Sequence, residues 1–305
     1  MKRILFVSPT GGHAGIDVCL EELVLGLDRN RFSPVVVFPE NALLKEKFEE
    51  EGILCYELPL IWWFPIGFSG SDILQVLPTL RDRVDPLVHI IEDNRIDLVV
   101  TNTSVAMDGA FAAAICGVPH IYFLHAQFVP NIYTSMQNES RDFLYTLMGK
   151  MSEKVVCCSK LLHDAFSRYI DNSCYIYNGV DTEKFAYKQR EIEDDLKLNM
   201  ICVGHFNQNK QQDFVIRALA YLKEKNPEML SHIHFTMTGP GEKGYCDYLK
   251  KLINSYSLED NVSMESYRDD ISEYLGSFNL YINSSITENL PLSVLEASEY
   301  SFSFQ

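Results

Sequence analysis

The sequence predicts an α/β protein built from two doubly wound, Rossmann-like domains with parallel sheets. Strand-like apolar runs alternate with helical stretches along nearly the whole chain of 305 residues. These runs are continuously apolar, as in parallel strands that are buried on both faces. Seven runs precede residue 180, four follow residue 195, and the segment 181–198 between them is polar and acidic. We therefore expect domains at 1–185 and 186–305, with ligands at the carboxyl ends of the strands, in a cleft between the sheets.

Each element follows from its local pattern. The expected strands are 4–7, 35–38, 53–58, 98–101, 120–124, 155–158 and 175–177 in the first domain, and 200–203, 234–238, 262–265 and 280–283 in the second. The intervening helices are amphipathic, and the first has an apolar stripe of Ile16, Leu20, Leu23 and Leu27. Alternation of this kind predicts right-handed crossovers between parallel strands.

Composition narrows the classes of function. Apolar residues make up 47% and charged residues 22% of the chain, as in an ordinary globular protein. The net charge of −16 argues against a nucleic-acid-binding protein, which needs a basic face. No apolar run approaches the roughly 20 residues that span a bilayer, and residues 1–7 are typical of a first strand rather than a signal peptide. The eight cysteines lack CxxC spacing, so we expect reduced and mostly buried thiols.

The segment after the last expected strand is the most informative. Glu288 and Glu296 lie eight positions apart, with Pro291 between them. Proline suits the first turn of a helix, which puts Glu288 in the preceding loop and Glu296 about one and a half turns into the helix. The amide groups at such a helix start bind anions. Two carboxylates beside an anion site suit a ligand with phosphates and hydroxyls, such as a nucleotide sugar.

A glycine loop follows the first strand. Gly11 and Gly12 open the first helix, but Thr10 stands where the GxGxxG pattern needs its first glycine. A plain tight turn, a loop that contacts phosphate or sugar, and a dinucleotide site with Glu40 on the ribose all remain open at this point.

Other polar side chains also follow expected strands. His125 ends the fifth strand, either as a structural hydrogen-bonding residue or as a group that orients a sugar hydroxyl. Lys210 lies near a helix start after the eighth strand, where an ammonium favours pyrophosphate unless it is merely solvated. The loops that contain Gly239 and Tyr267 either hold a nucleobase by backbone contacts or are simple turns.

Two further patterns concern partners and metals. Trp62, Trp63 and Phe64 belong to an apolar, proline-containing loop that either packs on its own domain or contacts an acceptor or a membrane surface. The sequence has no Asp-x-Asp and no cluster of residues with metal-ligand spacing, so we expect no metal and no cofactor. Lys210 and helix-start amides would then neutralise a diphosphate.

Taken together, these motifs resemble the retaining glycosyltransferases of family 4, which have the two-domain GT-B fold. The resemblance rests on Gly11-Gly12, His125, the Asn-Gly-Val-Asp run at 178–181, the loops 204–210 and 239–242, and the pair Glu288-x7-Glu296. It implies an N-terminal acceptor-side domain and a C-terminal domain that binds the nucleotide sugar.

The resemblance also implies roles for individual residues. Glu296 would bind the ribose hydroxyls, Glu288 and His125 the transferred sugar, and Lys210 the diphosphate. The main chain of Asn289, Leu290 and Pro291 would contact sugar and phosphate. The remaining donor-binding positions implied or considered are Gly11, Gly12, His205, Gly239 and Tyr267.

The sequence departs from the family pattern in two places. The family usually has arginine at the position of His205, so part of the diphosphate contact is altered. The segment 298–305 also lacks the small-Gly-x-Pro-Val stretch with which the family continues. We therefore expect the second domain to be incomplete.

The sequence thus predicts a retaining glycosyltransferase that moves a hexose-type sugar, expected from a UDP-sugar, to a cell-surface glycan or lipid-linked acceptor. We expect it in the cytoplasm, with the Trp62–Trp63 loop as a candidate for peripheral contact at the inner membrane face. Two alternatives remain at this stage: an inactive remnant that binds a nucleotide or a partner, and a dinucleotide-dependent oxidoreductase.

Overall fold

The structure is a computed structural model that describes residues 1–63, 76–126, 138–185 and 197–300. The chain divides into two compact units, Met1–Asn178 and Gly179–Gln305. The sequence placed this division slightly later, after residue 185. Phe185 is buried in an apolar cluster of the second unit, together with Ile201 and Leu275.

Within the described residues, the first unit contains a seven-stranded sheet. Its strands are β1 (Lys2–Val7), β2 (Phe32–Phe38), β3 (Leu54–Glu57), β4 (Leu98–Thr101), β5 (His120–Leu124), β6 (Lys154–Cys157) and β7 (Ser173–Tyr175). The order is β3-β2-β1-β4-β5-β6-β7, and every pairing is parallel. The order reverses between β1 and β4, which makes their carboxyl ends the topological switch point.

The sheet of the second unit has four parallel strands in the described part of the chain. They are β8 (Leu198–Val203), β9 (Ile233–Thr238), β10 (Val262–Glu265) and β11 (Leu280–Tyr281), in the order β10-β9-β8-β11. Here the order reverses between β8 and β11. The loops that follow these two strands therefore meet at the switch point of the second unit.

Helices connect the strands in both units. In the first unit they are α1 (Gly15–Leu25), α2 (Leu43–Glu50), α3 (Leu80–Asp93), α4 (Asp108–Cys116), α5 (Asn138–Lys150) and α6 (Lys160–Phe166). In the second they are α7 (Gln212–Lys225), α8 (Pro227–Leu230), α9 (Lys243–Ser255), α10 (Ile271–Tyr274) and α11 (Leu292–Glu299). Short 3-10 turns lie at Leu77–Thr79 and Leu275–Ser277.

Both faces of each sheet are covered. Along β1, Ile4 and Phe6 pack into one apolar cluster with Phe48, while Leu5 and Val7 pack into another on the opposite face. This two-sided burial explains why the strand sequences are continuously apolar rather than alternating.

The predicted α/β fold with two parallel sheets is confirmed, with local differences. Strand β7 begins and ends two residues earlier than predicted, although the Ile176 amide still donates to the Cys157 carbonyl at 2.9 Å. In α1 the buried side is formed by Cys19, Leu20 and Val24, whereas Leu23 is exposed, because the helix packs through the i, i+4 ridge from Leu20. All eight cysteines are free thiols, four buried and four half-buried.

Candidate active site

The loop after β8 and the loop after β9 are in close contact through two glycines. Gly204 has φ 153° and Gly239 has φ 148°, a conformation that side chains rarely adopt. A Cβ on Gly239 would lie only 2.3 Å from the Gly204 carbonyl oxygen. Both positions therefore require glycine, and the backbone is left bare at the switch point.

Hydrogen bonds fasten the loop after β8 to the loop after β11. The Asn209 side chain donates to the Thr287 carbonyl at 3.1 Å, and the Ile286 amide donates to the Asn209 carbonyl at 2.8 Å. The Ser284 hydroxyl donates to the Lys210 carbonyl at 2.7 Å. Three bonds over so few residues fix the relative position of the two loops.

The two fastened loops bring Lys210 and Glu288 together. The Lys210 Nζ donates to Glu288 Oε1 at 2.5 Å, and the side chains keep 19% and 25% of their exposure. Gly204 makes room for this lysine, because a Cβ there would lie 3.3 Å from Lys210 Cε. The structure thus unites two residues that the sequence had assigned to the diphosphate and to the sugar.

Helix α11 begins beside this pair. Pro291 is the N-cap, with φ −71° and ψ 126°, so it lies one position before the first turn in which the sequence placed it. The Val294 amide donates to the Pro291 carbonyl at 3.1 Å, and the amides of Leu292 and Ser293 in the first turn have no acceptor within the helix. Asn289 and Leu290 precede the cap.

Glu296 lies in the second turn of α11 and is half-buried. The Tyr281 hydroxyl donates to Ser293 Oγ at 2.8 Å and so connects β11 to the helix. Burial raises the pKa of Tyr281, and the nearby carboxylates of Glu296 and Glu288 raise it further. Tyr281 therefore lies within electrostatic reach of both glutamates that the sequence singled out.

The loop after β10 forms the opposite side of the second sheet's carboxyl end. The Gly239 amide donates to the Glu265 carbonyl at 3.3 Å, and the Arg268 guanidinium lies 3.8 Å from the centre of the Tyr274 ring. The Tyr274 hydroxyl donates to Glu265 Oε1 at 2.8 Å. Tyr267 lies in this loop and is half-buried, whereas His205 is exposed at the start of the loop after β8.

In the first unit, the glycine loop is held by a buried carboxylate that the sequence analysis missed. Asp17 is 2% exposed, and its Oδ2 accepts the Ala14 amide at 3.0 Å. Burial raises the pKa of Asp17, while hydrogen bonds from Thr10, Ala14 and Gly12 oppose this rise. The signal for its role was an acid in the first turn of the helix that follows the glycines.

Gly11 also has no room for a side chain. A Cβ there would lie 2.5 Å from the Ala42 Cβ and 2.9 Å from the Phe38 ring, so β2 and α2 press against this position. Gly12 has no comparable contact, since the nearest atom to its Cβ would be Asp17 Oδ2 at 3.8 Å. The loop is therefore a close-packed turn at Gly11 and open at Gly12.

His125 lies at the carboxyl end of β5 and is oriented by Asn102. Asn102 donates through Nδ2 to the Ile16 carbonyl at 3.2 Å, so its Oδ1 accepts from His125 Nε2 at 2.9 Å. Burial lowers the pKa of His125 to about 4, which keeps the ring neutral at neutral pH. Asn102 was missed from the sequence, although its place at the end of β4 satisfies the rule that finds sites at strand ends.

The two tryptophans of the apolar loop differ in their exposure. Trp62 is 42% exposed, but Trp63 is only 3% exposed and stacks on Phe111, with ring centres 5.4 Å apart. The buried Arg83, which pairs with Asp108 at 3.0 Å, lies over the Trp63 ring at 5.6 Å. Trp63 therefore packs on its own domain, which was one of the two alternatives for this loop, and contact with an acceptor or a membrane stays a prediction for Trp62. Phe64 lies outside the described residues.

In residues 1–63, 76–126, 138–185 and 197–300, no group of three or more histidine, cysteine or acidic side chains is arranged to hold a metal ion. No described helix is both long and apolar enough to cross a bilayer.

Comparison with known proteins gives consistent matches over nearly the whole chain. The profile for Glycosyltransferase Family 4 matches residues 13–184, and that for Glycosyl transferases group 1 matches residues 183–302. An uncharacterized glycosyltransferase of Methanocaldococcus jannaschii is 31% identical over 83% of this chain and 63% of its own length. The UDP-Gal:alpha-D-GlcNAc-diphosphoundecaprenol alpha-1,3-galactosyltransferase of Escherichia coli is 24% identical over 69% of this chain and 57% of its own length.

Solved structures support the same fold. The Anabaena protein HepE in complex with UDP-glucose superposes with a TM-score of 0.77 at 20% identity, covering 98% of this chain and 79% of that one. The lipopolysaccharide glycosyltransferase WaaG gives a TM-score of 0.67 at 13% identity, covering 97% of this chain and 79% of that one. The chain spans about three fifths of the length of three curated relatives that it matches, and about a third of the length of a fourth. With these matches and the loops described above, the chain belongs to glycosyltransferase family 4.

Proposed function

We propose that this chain transfers a hexose-type sugar from a UDP-sugar to a glycan or lipid-linked acceptor, with retention at the anomeric carbon. The observation that carries the proposal is the contact between Lys210 and Glu288 beside the start of α11. A cation, a helix start and a carboxylate within one small site suit a ligand that carries both a diphosphate and hydroxyl groups.

The donor site is assigned to the second unit. Lys210 and the first amides of α11 neutralise the diphosphate, and the bare backbone at Gly239 lets the nucleotide approach the sheet. Glu288 accepts from sugar hydroxyls and Glu296 from the ribose. The remaining contacts to the donor come from the main chain of 289–291 and from the loops that contain His205 and Tyr267.

Transfer with retention places demands on the leaving group. The bond between the anomeric carbon and the β-phosphate oxygen breaks, and positive charge develops on the sugar while the diphosphate gains negative charge. The acceptor hydroxyl oxygen forms the new bond to the anomeric carbon on the same face, and its proton passes to the leaving diphosphate. A fixed lysine and aligned helix amides stabilise this charge without reorganising during the reaction. We propose that donor binding needs no metal ion, because these groups supply the positive potential.

The acceptor side is assigned to the first unit, in which Gly11 and Gly12 keep the donor-binding role, and His125 the sugar-contacting role, that the family resemblance implies. A neutral histidine that donates through Nε2 to Asn102 carries its lone pair on Nδ1, the ring atom that accepts hydrogen bonds. The named activity of the Escherichia coli relative supports a lipid-linked saccharide as acceptor. We propose that the reaction takes place in the cytoplasm, with Trp62 available for contact at the membrane face.

A donor screen tests the proposal. Purified protein is incubated with a panel of UDP- and other nucleotide sugars, with and without EDTA, and nucleotide release is measured. We expect release from UDP-sugars that persists in EDTA and is lost in Glu296→Gln, with Glu259→Gln as a surface control. Equal release from wild type and Glu296→Gln would reject the assigned site, and UDP binding without any transfer would indicate a nucleotide-binding protein.

A further inference from the structure

We propose that Glu288 discriminates between the sugar donor and the nucleoside diphosphate left after transfer, by competing with phosphate for Lys210. The inference rests on the proposed function and adds a regulatory property to the same site. In the structure, the lysine expected to bind phosphate is already paired with this carboxylate, at 2.5 Å.

The pairing is built into the fold. Glu288 directly follows Thr287, whose carbonyl accepts from Asn209, and Lys210 directly follows Asn209. The Lys210 carbonyl also accepts from Ser284. Since these bonds tie the backbone at 209–210 to the segment that directly precedes Glu288, the two side chains are held within reach of each other.

The neighbouring side chains of Cys202 and Tyr281 add no charge beside Lys210 and Glu288. Both side chains are about four fifths covered, so water screens them less than it screens a surface pair. The neighbouring Cys202 is buried, which raises its pKa to about 11, and burial also raises the pKa of Tyr281. Both groups are therefore neutral at pH 7, and Glu296 is the other carboxylate that acts on Tyr281.

A ligand must replace the contact that it breaks. The phosphates of a UDP-sugar bind Lys210, and its sugar hydroxyls donate hydrogen bonds to Glu288. Each side chain of the pair therefore exchanges one polar partner for another. UDP also takes Lys210, but it has no hydroxyls at this end and a more negative terminal phosphate. The Glu288 carboxylate then has no hydrogen-bond donor and lies close to the negative terminal phosphate of UDP. Both effects raise the free energy of the complex, because the site is partly desolvated.

Glu288 is therefore expected to weaken the binding of UDP more than that of the donor. It promotes release of the product and limits product inhibition, in addition to contacting the sugar. Removing the negative charge while keeping the shape should reverse this preference.

Calorimetric titration of UDP and of UDP-glucose tests the inference on wild type, Glu288→Gln and Glu259→Gln. Glu259 is an exposed acid in the same unit, so its variant controls for the change in net charge. We expect Glu288→Gln to bind UDP about fivefold tighter or more, which corresponds to about 1 kcal/mol. The same variant should bind UDP-glucose no tighter than wild type does, and Glu259→Gln should leave both affinities unchanged.

A second pair of variants shows whether the effect passes through the lysine. The gain in UDP affinity should vanish when Glu288→Gln is combined with Lys210→Gln, and Glu288→Asp, which retains the charge, should gain less. Circular dichroism verifies that each variant is folded.

The outcomes separate the inference from the function on which it rests. If wild type binds UDP and Glu288→Gln does not tighten it, or tightens both ligands equally, the discrimination is refuted while the donor site stands. If wild type binds neither ligand, the proposed function fails, and the inference fails with it.

Discussion

Substituting Gly239 by alanine should disrupt the second unit alone. The new methyl group would lie 2.3 Å from the Gly204 carbonyl oxygen, and φ is 148°, so the residue is both crowded and strained. A residue in an unfavourable backbone region costs about 1–3 kcal/mol, and overpacking costs about 1–3 kcal/mol more. After the entropic benefit of alanine, about 0.4–1 kcal/mol, is subtracted, the free energy of unfolding should fall by about 1–5 kcal/mol.

The positions of the tryptophans make this effect measurable by unit. Both tryptophans of the chain, Trp62 and Trp63, lie in the first unit. Tryptophan fluorescence in urea therefore reports on the first unit, while circular dichroism reports on both. If the second unit loses about 3 kcal/mol and its m-value is about 2 kcal/mol/M, the midpoint of its unfolding, followed by circular dichroism, should fall by about 1.5 M urea. The fluorescence transition should not move.

Gly244→Ala is the matched control. Gly244 lies in the first turn of α9, and a Cβ there would meet nothing within 4 Å. We expect this variant to be slightly more stable than wild type, by about 0.5–1 kcal/mol. If Gly239→Ala unfolds like Gly244→Ala and retains the UDP affinity of wild type, the close approach of the two loops is not present in the molecule.

Three other substitutions test the site and its surroundings. His205→Arg places a guanidinium in the loop after β8, and titration should show UDP bound about 1.4- to fivefold tighter, since an added exposed charge contact contributes about 0.2–1 kcal/mol. Unchanged or weaker binding would contradict the role assigned to this position. Asp17→Ala removes the acceptor of the Ala14 amide, and the fluorescence transition in urea should reveal a loss of about 1–2 kcal/mol in the first unit; a transition at the wild-type urea concentration would mean that the carboxylate does not hold the loop. Burial lowers the pKa of His120 to about 3, so the unfolded chain, with a histidine pKa of about 6.5, takes up the proton first as pH falls. The contribution of His120 to stability should therefore drop below pH 6.5 with a slope of up to about 1.4 kcal/mol per pH unit, and urea titrations at pH 7 and pH 5 should show a smaller drop in His120→Gln.

The sequence predicted the strands and the loops that follow them, because buried parallel strands are continuously apolar and their carboxyl ends carry polar residues. It did not predict that Lys210 and Glu288 touch. They are 78 positions apart, and their contact depends on β11 lying next to β8, an order that local patterns do not specify.

The sequence also did not predict which polar and aromatic side chains are buried. The sequence left open whether Trp63 packs on its own domain or contacts a partner, because the residues that surround its ring, the Arg83–Asp108 pair and Phe111, come from elsewhere in the chain. The role of Asp17 was missed because an acid in the first turn of a helix is usually solvated, whereas Asp17 is buried. The partners of Trp63 come from outside the short pattern in which it was noticed, whereas Asp17 is bound by residues of the adjacent glycine loop, Ala14 among them.

The separation of Lys210 and Glu288 has a consequence for synthesis on the ribosome. At about 5–20 residues per second, roughly 4–16 s pass between the translation of these two residues. Until the two-residue strand β11 docks against β8, the lysine lacks its carboxylate partner and the sheet edge is uncovered. A nucleotide that binds only the docked arrangement would shift the equilibrium toward it, so supply of the donor would favour maturation of the newly made chain.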